Sequence, residues 1–220
     1  NDENKLISTL GYDETINDVS FHPTEKQLAI ALDKVVVLVG FEGNTIQRFE
    51  GILNETSTGL DYDIGSYWQH YIAKWVKYKS ARFLSGNGLF VGKTGRKVRK
   101  WNVKNASITM EYNGHEKGVL CFERIDDKNI ATGSGDGKII IWDEASGKQK
   151  QIIHAHREPI FDLALSHDGR ILASSSWDGV IAFWDTSTWT KYKSIYNEGA
   201  SAYEIAFTEN DAYLVTGLLD

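Results

Sequence analysis

Between residues 114 and 196 the chain reads as short apolar runs of four to six residues, separated by tight polar turns. The runs fall at 119–122, 130–134, 138–142 and 149–153, and again at 160–165, 171–176, 180–184 and 190–195. They are rich in Ile, Val, Ala and aromatic residues and are punctuated by Gly-Asp-Gly or Asp-Gly, so each predicts a β-strand closed by a turn. No stretch shows a sustained helical period. The second group repeats the first: Gly135-Asp136-Gly137 leads into a run ending on Trp142-Asp143, and Trp177-Asp178-Gly179 into one ending on Trp184-Asp185. Forty-two residues separate Asp136 from Asp178 and Trp142 from Trp184. A further forty-two lead to Asp220.

A period in the forties, four short strands per period and a Trp-Asp ending are marks of radial repetition. On these residues the chain resembles the WD40-repeat β-propellers. The resemblance implies an all-β fold of four-stranded blades at about 11–50, 71–113, 114–155 and 156–197, with a partial blade at 198–220. These four and a half blades would be a segment of a larger propeller, typically of seven blades. The match is tight over 114–185 and looser before it. In the first blade Tyr12 stands where the family has His, and Val39-Gly40 where it has Trp-Asp. In the second, Trp101-Asn102 replaces Trp-Asp. Strands are expected at 17–21, 27–31, 35–39 and 45–49, then at 71–76, 89–94, 96–103 and 107–112, and in the partial blade at 203–207 and 212–216. Residues 51–70 exceed one period and are expected to form an ordered insertion, ending in Tyr67-Trp68.

Composition narrows the function classes. Hydrophobic residues make up 41 % and no apolar run is long enough for a membrane helix. A single cysteine, Cys121, rules out an internal disulfide. The polar opening Asn1-Asp-Glu-Asn-Lys5 is not a signal sequence, and it lacks an initiating Met, which suggests a piece of a longer chain. A cytoplasmic location is expected. The sequons at Asn54 and Asn105 are short enough to arise by chance.

The net charge is −6, unevenly spread: residues 70–104 hold ten Lys/Arg and no Asp or Glu. Within them Arg96, Val98 and Lys100 alternate with Lys97, Arg99 and Trp101. Two readings stand: a solvated outer strand, or a docking face, centred on Lys97 and Arg99, for an acidic or phosphorylated partner. The acidity of the remainder argues against nucleic acid as a general partner.

Three constellations suggest chemistry. His115, Ser134 and Asp136, and again His156, Ser176 and Asp178, have the residue types of a hydrolase triad, but a triad is defined by geometry and role. Resemblance implies instead two structural tetrads, His115–Ser134–Asp136–Trp142 and His156–Ser176–Asp178–Trp184, with Thr132 or Ser174 also allowed as the hydroxyl by alternation. Val91-Gly-Lys-Thr94 imitates the end of a phosphate loop, but the required glycine is displaced and the next run, 96–101, alternates as a strand rather than opening a helix. His154 and His156 lack further ligands for a metal. No catalytic residue, metal or cofactor is expected.

The resemblance also points to a partner-binding end of the blades. Its two recurring positions are the residue before the turn Asp, matching Trp177, Gly135 and Leu219, and the fifth residue after the Gly-His histidine. The latter matches Phe161 and Leu120, Tyr203 if Glu198 replaces the histidine, and more loosely Trp75 after His70. The expected function is a non-catalytic scaffold that binds other proteins through Trp177, Phe161 and Tyr203, within a larger complex. The alternative is a sensory or autoinhibitory propeller attached to a signalling ATPase, kinase or protease.

Overall fold

The computed structural model describes residues 11–13, 16–21, 25–32, 36–49, 80–85, 88–92, 96–102, 104–105, 107–196 and 201–219. The regular elements among them are eighteen strands. β1 (Ile16–Phe21), β2 (Gln27–Leu32), β3 (Val36–Gly40) and β4 (Thr45–Phe49) form one antiparallel sheet in chain order. β5 (Ser80–Ser85), β6 (Gly88–Gly92), β7 (Lys97–Asn102) and β8 (Ser107–Asn113) form a second. The third is β9 (Val119–Arg124), β10 (Asn129–Ser134), β11 (Lys138–Asp143) and β12 (Gln149–His154). The fourth is β13 (Ile160–Leu165), β14 (Ile171–Ser176), β15 (Val180–Asp185) and β16 (Lys191–Tyr196). β17 (Ser201–Phe207) and β18 (Leu214–Leu219) pair as a two-stranded sheet. The fold is all-β, built from four-stranded antiparallel blades whose strands are joined sequentially, as short two-to-five-residue turns require.

The chain divides into two compact units, 1–91 with 99–110, and 92–98 with 111–220. In the first unit, the core of the β1–β4 sheet is Ile30, Leu32, Val37 and Val39, with Tyr12 and Leu28 packed against it. In the second, strand alternation assigns each middle strand two different neighbours. Leu172, Ala182 and Trp184 point one way and join Cys121, Ala131, Ile139, Ile141 and Ile160 in one core. Ala173, Ile181 and Phe183 point the other way and meet Ala202 and Ile205. A strand buried on both faces has no polar side to alternate, which is why β11 and β15 read as unbroken apolar runs. β16, at the edge of its sheet, is exposed throughout and carries two lysines.

Two sequence expectations change. The strand expected at 71–76 falls outside the described residues, as does the 51–70 insertion. The strand that pairs with β6 is β5, at Ser80–Ser85. Its run, Ser-Ala-Arg-Phe-Leu-Ser, alternates poorly, and the signal that should have located it is the turn-forming sequence Gly86-Asn87-Gly88. β7 is also not a solvated outer strand. It lies third in its sheet, with Val98 and Trp101 buried at 1 % and 7 % exposure. The Val91-Gly-Lys-Thr94 stretch leaves β6 and leads to this strand, not to a helix.

Turn chemistry fixes the period. Gly137, at φ 73°, closes the β10–β11 hairpin, and its carbonyl accepts from both Ala155 N (3.1 Å) and His156 N (3.0 Å) of the connector to β13. Gly179, at φ 76°, holds the same place between β14 and β15. Two turns break the glycine rule, at Asp211 (φ 55°) and at Trp189, which sits at φ 57° where the preceding blade has Gly147 at φ 69°. A bulky residue in this region is strained, and the compensation is packing, because the Trp189 ring lies against the core shared by the two blades.

Gly137 therefore should not tolerate a side chain. A Cβ there would collide with the His156 carbonyl, whereas one at Gly169, which has the same φ of 73°, would meet nothing within 4 Å. Gly169→Ala is expected to cost about 1 kcal/mol from conformation alone. Gly137→Ala should cost at least ~2 kcal/mol more, since overpacking adds to that cost. Equal urea midpoints for the two variants would show that the connector yields.

Candidate functional site

The polar residues that the sequence singled out meet in two hydrogen-bonded relays. In the third sheet, Trp142 Nε1 donates to Thr132 Oγ1 (2.8 Å), which lies 2.7 Å from His115 Nε2. On the other side of the ring, Nδ1 lies 3.0 Å from Asp136 Oδ2. In the fourth, Trp184 Nε1 donates to Ser174 Oγ (2.9 Å), Ser174 Oγ lies 2.7 Å from His156 Nε2, and His156 Nδ1 lies 3.1 Å from Asp178 Oδ2. A carboxylate only accepts, so each Nδ1 carries the proton. Each hydroxyl accepts from its indole and lies within hydrogen-bond reach of Nε2. Every polar side-chain atom along the line has a partner.

The hydroxyl at each centre is thus Thr132 and Ser174, not Ser134 and Ser176. All four share the same face, because residues two apart do. Thr132 and Ser174 lie mid-strand, one pleat from the indole that crosses from the next strand. Ser134 and Ser176 sit at the mouth of the turn and brace it instead. Ser134 Oγ donates to the Lys117 carbonyl (3.1 Å) and accepts from Asp136 N (3.2 Å). Ser176 Oγ does the same with the Glu158 carbonyl and Asp178 N, each at 3.2 Å.

The two aspartates are the terminal charges of the relays and also pin the chain. Asp136 accepts the amides of Glu116 and Lys138, each at 2.9 Å. Burial alone would raise its carboxyl, but the hydrogen bond and charge of His115 and those two amides outweigh it and hold the value at about 2. Asp178 likewise accepts the amides of Arg157 (3.2 Å) and Val180 (3.0 Å). Burial pushes the His156 imidazole below its ordinary value, against the raising effect of Asp178. Neither serine nor threonine faces an open cavity with a nucleophile's geometry; both hydroxyls are fully buried links in a chain. His154 lies exposed at the end of β12, away from these contacts. Among the described residues no three His, Cys, Asp or Glu gather as a metal site.

At the same end of the sheets lie the aromatic candidates. Phe161 meets Trp177 edge-on, centroids 5.7 Å apart at 70°, and Tyr203 in a tilted stack at 4.7 Å and 33°. All three are half-buried. Strand register explains how they stand there. Opposite β14, Ile160 pairs with Ser176 and Asp162 with Ser175, so Phe161 is an extra residue without a partner. Tyr203 is skipped in the same way between Ala202 and Glu204, and Leu120 between Val119 and Cys121. Each is therefore the protruding residue of a β-bulge, a device that re-aims a side chain and concentrates at sites. Gly135, before the turn Asp of the third sheet, is buried. Trp75 and the side chain of Leu219 lie outside the described residues. Lys97 is exposed but paired with Glu111 at 3.3 Å, and Arg99 is half-buried.

Two aspartates escaped the sequence reading. Asp162, buried in β13, accepts Ile205 N of β17 at 3.0 Å and Leu163 N at 2.9 Å, joining neighbouring sheets. Asp211, at φ 55°, accepts His167 N (2.9 Å) and Asp168 N (3.1 Å) from the β13–β14 turn. Both are single-use clamps with no counterpart one period earlier, so periodicity had no means to flag them.

Thr132→Val keeps shape and removes the central hydroxyl, leaving Trp142 and His115 unpaired; it should cost about 2–4 kcal/mol. Ser134→Ala should cost about 1 kcal/mol. Reversed values in denaturant melts would put the relay through Ser134. For pH, His156 is depressed on folding, so its contribution is complete above the unfolded imidazole value of about 6.5 and is lost as pH falls below it. Asp136, depressed to about 2, adds a second loss between about pH 4 and 2. A melting temperature flat from pH 7 to 5 would contradict the neutral His156.

The sequence model described as WD domain, G-beta repeat matches residues 106–143 and 147–185. Each match begins at the outer strand of one sheet and ends on the Trp-Asp of the third strand in the next, β8–β11 and β12–β15. Echinoderm microtubule-associated protein-like 2 of mouse is 23 % identical over 153 residues, 68 % of this chain and 21 % of its own length. The rat protein of the same name matches to the same extent. The chain thus spans about a fifth of the length of these curated relatives. With its two matched repeats, its relays and its four-stranded sheets, the chain carries WD40 repeats over residues 106–143 and 147–185.

Proposed function

We propose that this chain is a non-catalytic interaction platform that seats a partner protein on the row Trp177–Phe161–Tyr203. The observation that carries the reading is the placement of these rings: two at bulges, one at a turn, in mutual contact and half-exposed at one end of adjacent sheets. Backbone devices that turn aromatic rings outward cost regular pairing, and rigid aromatic rings are the side chains that dominate interface energetics. The relays below them are fully satisfied and hold the turns still, so the row is presented preorganised, which lowers the entropy lost on binding. The basic residues of β7 give a weaker second contact, since Lys97 already has a carboxylate partner.

Capture by the full chain from cell extract, read by quantitative mass spectrometry, tests this. Trp177→Ala should reduce the capture of a defined set of proteins by about tenfold or more, a hot-spot loss, with an unchanged melting temperature. Tyr213→Ala, at an exposed tyrosine of the opposite turn, should capture that set normally. Identical sets with and without Trp177 would sink the platform reading.

A further inference from the structure

The aromatic row stands in an acidic setting. Residues 111–220 contain ten Lys/Arg and eighteen Asp/Glu, a net charge of −8. At the end of the sheets where the row lies, Asp178 follows Trp177 directly, with its side chain 16 % exposed. Glu158, in the connector before β13, and Glu204, beside Tyr203, are exposed. Arg157 is an exposed cation of the same connector. Glu116 and Lys138 pair with each other, and Lys117 is half-buried.

The rings add a second attraction of the same sign. Phe161 touches both Trp177 and Tyr203, and each of these two rings is partly exposed. An aromatic face carries negative charge density and draws a guanidinium or ammonium, with Trp the strongest partner. A purely apolar anchor would gain from the rings but nothing from the carboxylates, and an acidic one would be repelled by them.

Resting on the platform reading, we infer that the row takes an arginine or lysine side chain of an extended partner segment. The cation is set over Trp177 or Tyr203 and steered by Asp178, Glu158 and Glu204.

Random peptides of about ten residues, selected on the full chain and measured by fluorescence anisotropy, test this. Selected peptides should be rich in Arg and Lys and should weaken about tenfold on Trp177→Ala. They should weaken by a similar factor when their arginine is replaced by citrulline, which keeps shape and removes charge. Glu158→Gln with Glu204→Gln should cost about threefold, more at low salt. Peptides that need Trp177 but accept citrulline without loss overturn the cationic anchor and leave the platform standing. Peptides indifferent to Trp177→Ala overturn both. A library that yields no binder overturns the anchor, and the capture experiment then judges the platform alone.

Discussion

The structure of the repeats hangs on one problem: how to bury an indole N–H, an imidazole and a hydroxyl between two apolar sheets. Each of these groups is costly to bury unpaired. Lined up as Trp–Thr/Ser–His–Asp, they satisfy one another, and the last member, the aspartate, lies in the turn. That carboxylate then gathers backbone amides from two loops. A solution to the desolvation of a few side chains therefore also sets the geometry of the connectors, and it does so twice with bond lengths that agree to about 0.1 Å.

Much of this was legible in the sequence. Apolar runs bounded by glycine turns located β9–β16 within a residue or two, because the inner strands β10, β11, β14 and β15 are buried on both faces and the turns demand positive φ. The family resemblance named the right His, Asp and Trp of each relay, but alternation could not choose between hydroxyls two residues apart. That choice depends on how far an indole reaches across the neighbouring strand, a distance no linear pattern contains. β5 was missed because its side chains do not alternate, and Asp162 and Asp211 because each acts once. The bulges at Leu120, Phe161 and Tyr203 were equally invisible: an unpaired residue is a property of the register between two strands, not of either strand.

Those bulges link the fold to the proposed function. A regular strand would send Phe161 towards one of the two packed faces. The extra residue frees it from that choice at the cost of one rung of the ladder, and the Ser176 and Asp178 contacts just beyond hold the end of the sheet closed. Satisfied relay beneath and irregular rim above are complementary: rigidity in the first makes the second affordable.

The Gly137 carbonyl, shared by the amides of Ala155 and His156, has a mechanical meaning. It makes the link between one blade and the next a fixed strut rather than a slack tether. A length change there would tear the hairpin of the preceding blade as well as displace the histidine of the following one. The spacing of forty-two residues between the turn aspartates Asp136 and Asp178 is, in this sense, a dimension of the molecule written into its sequence.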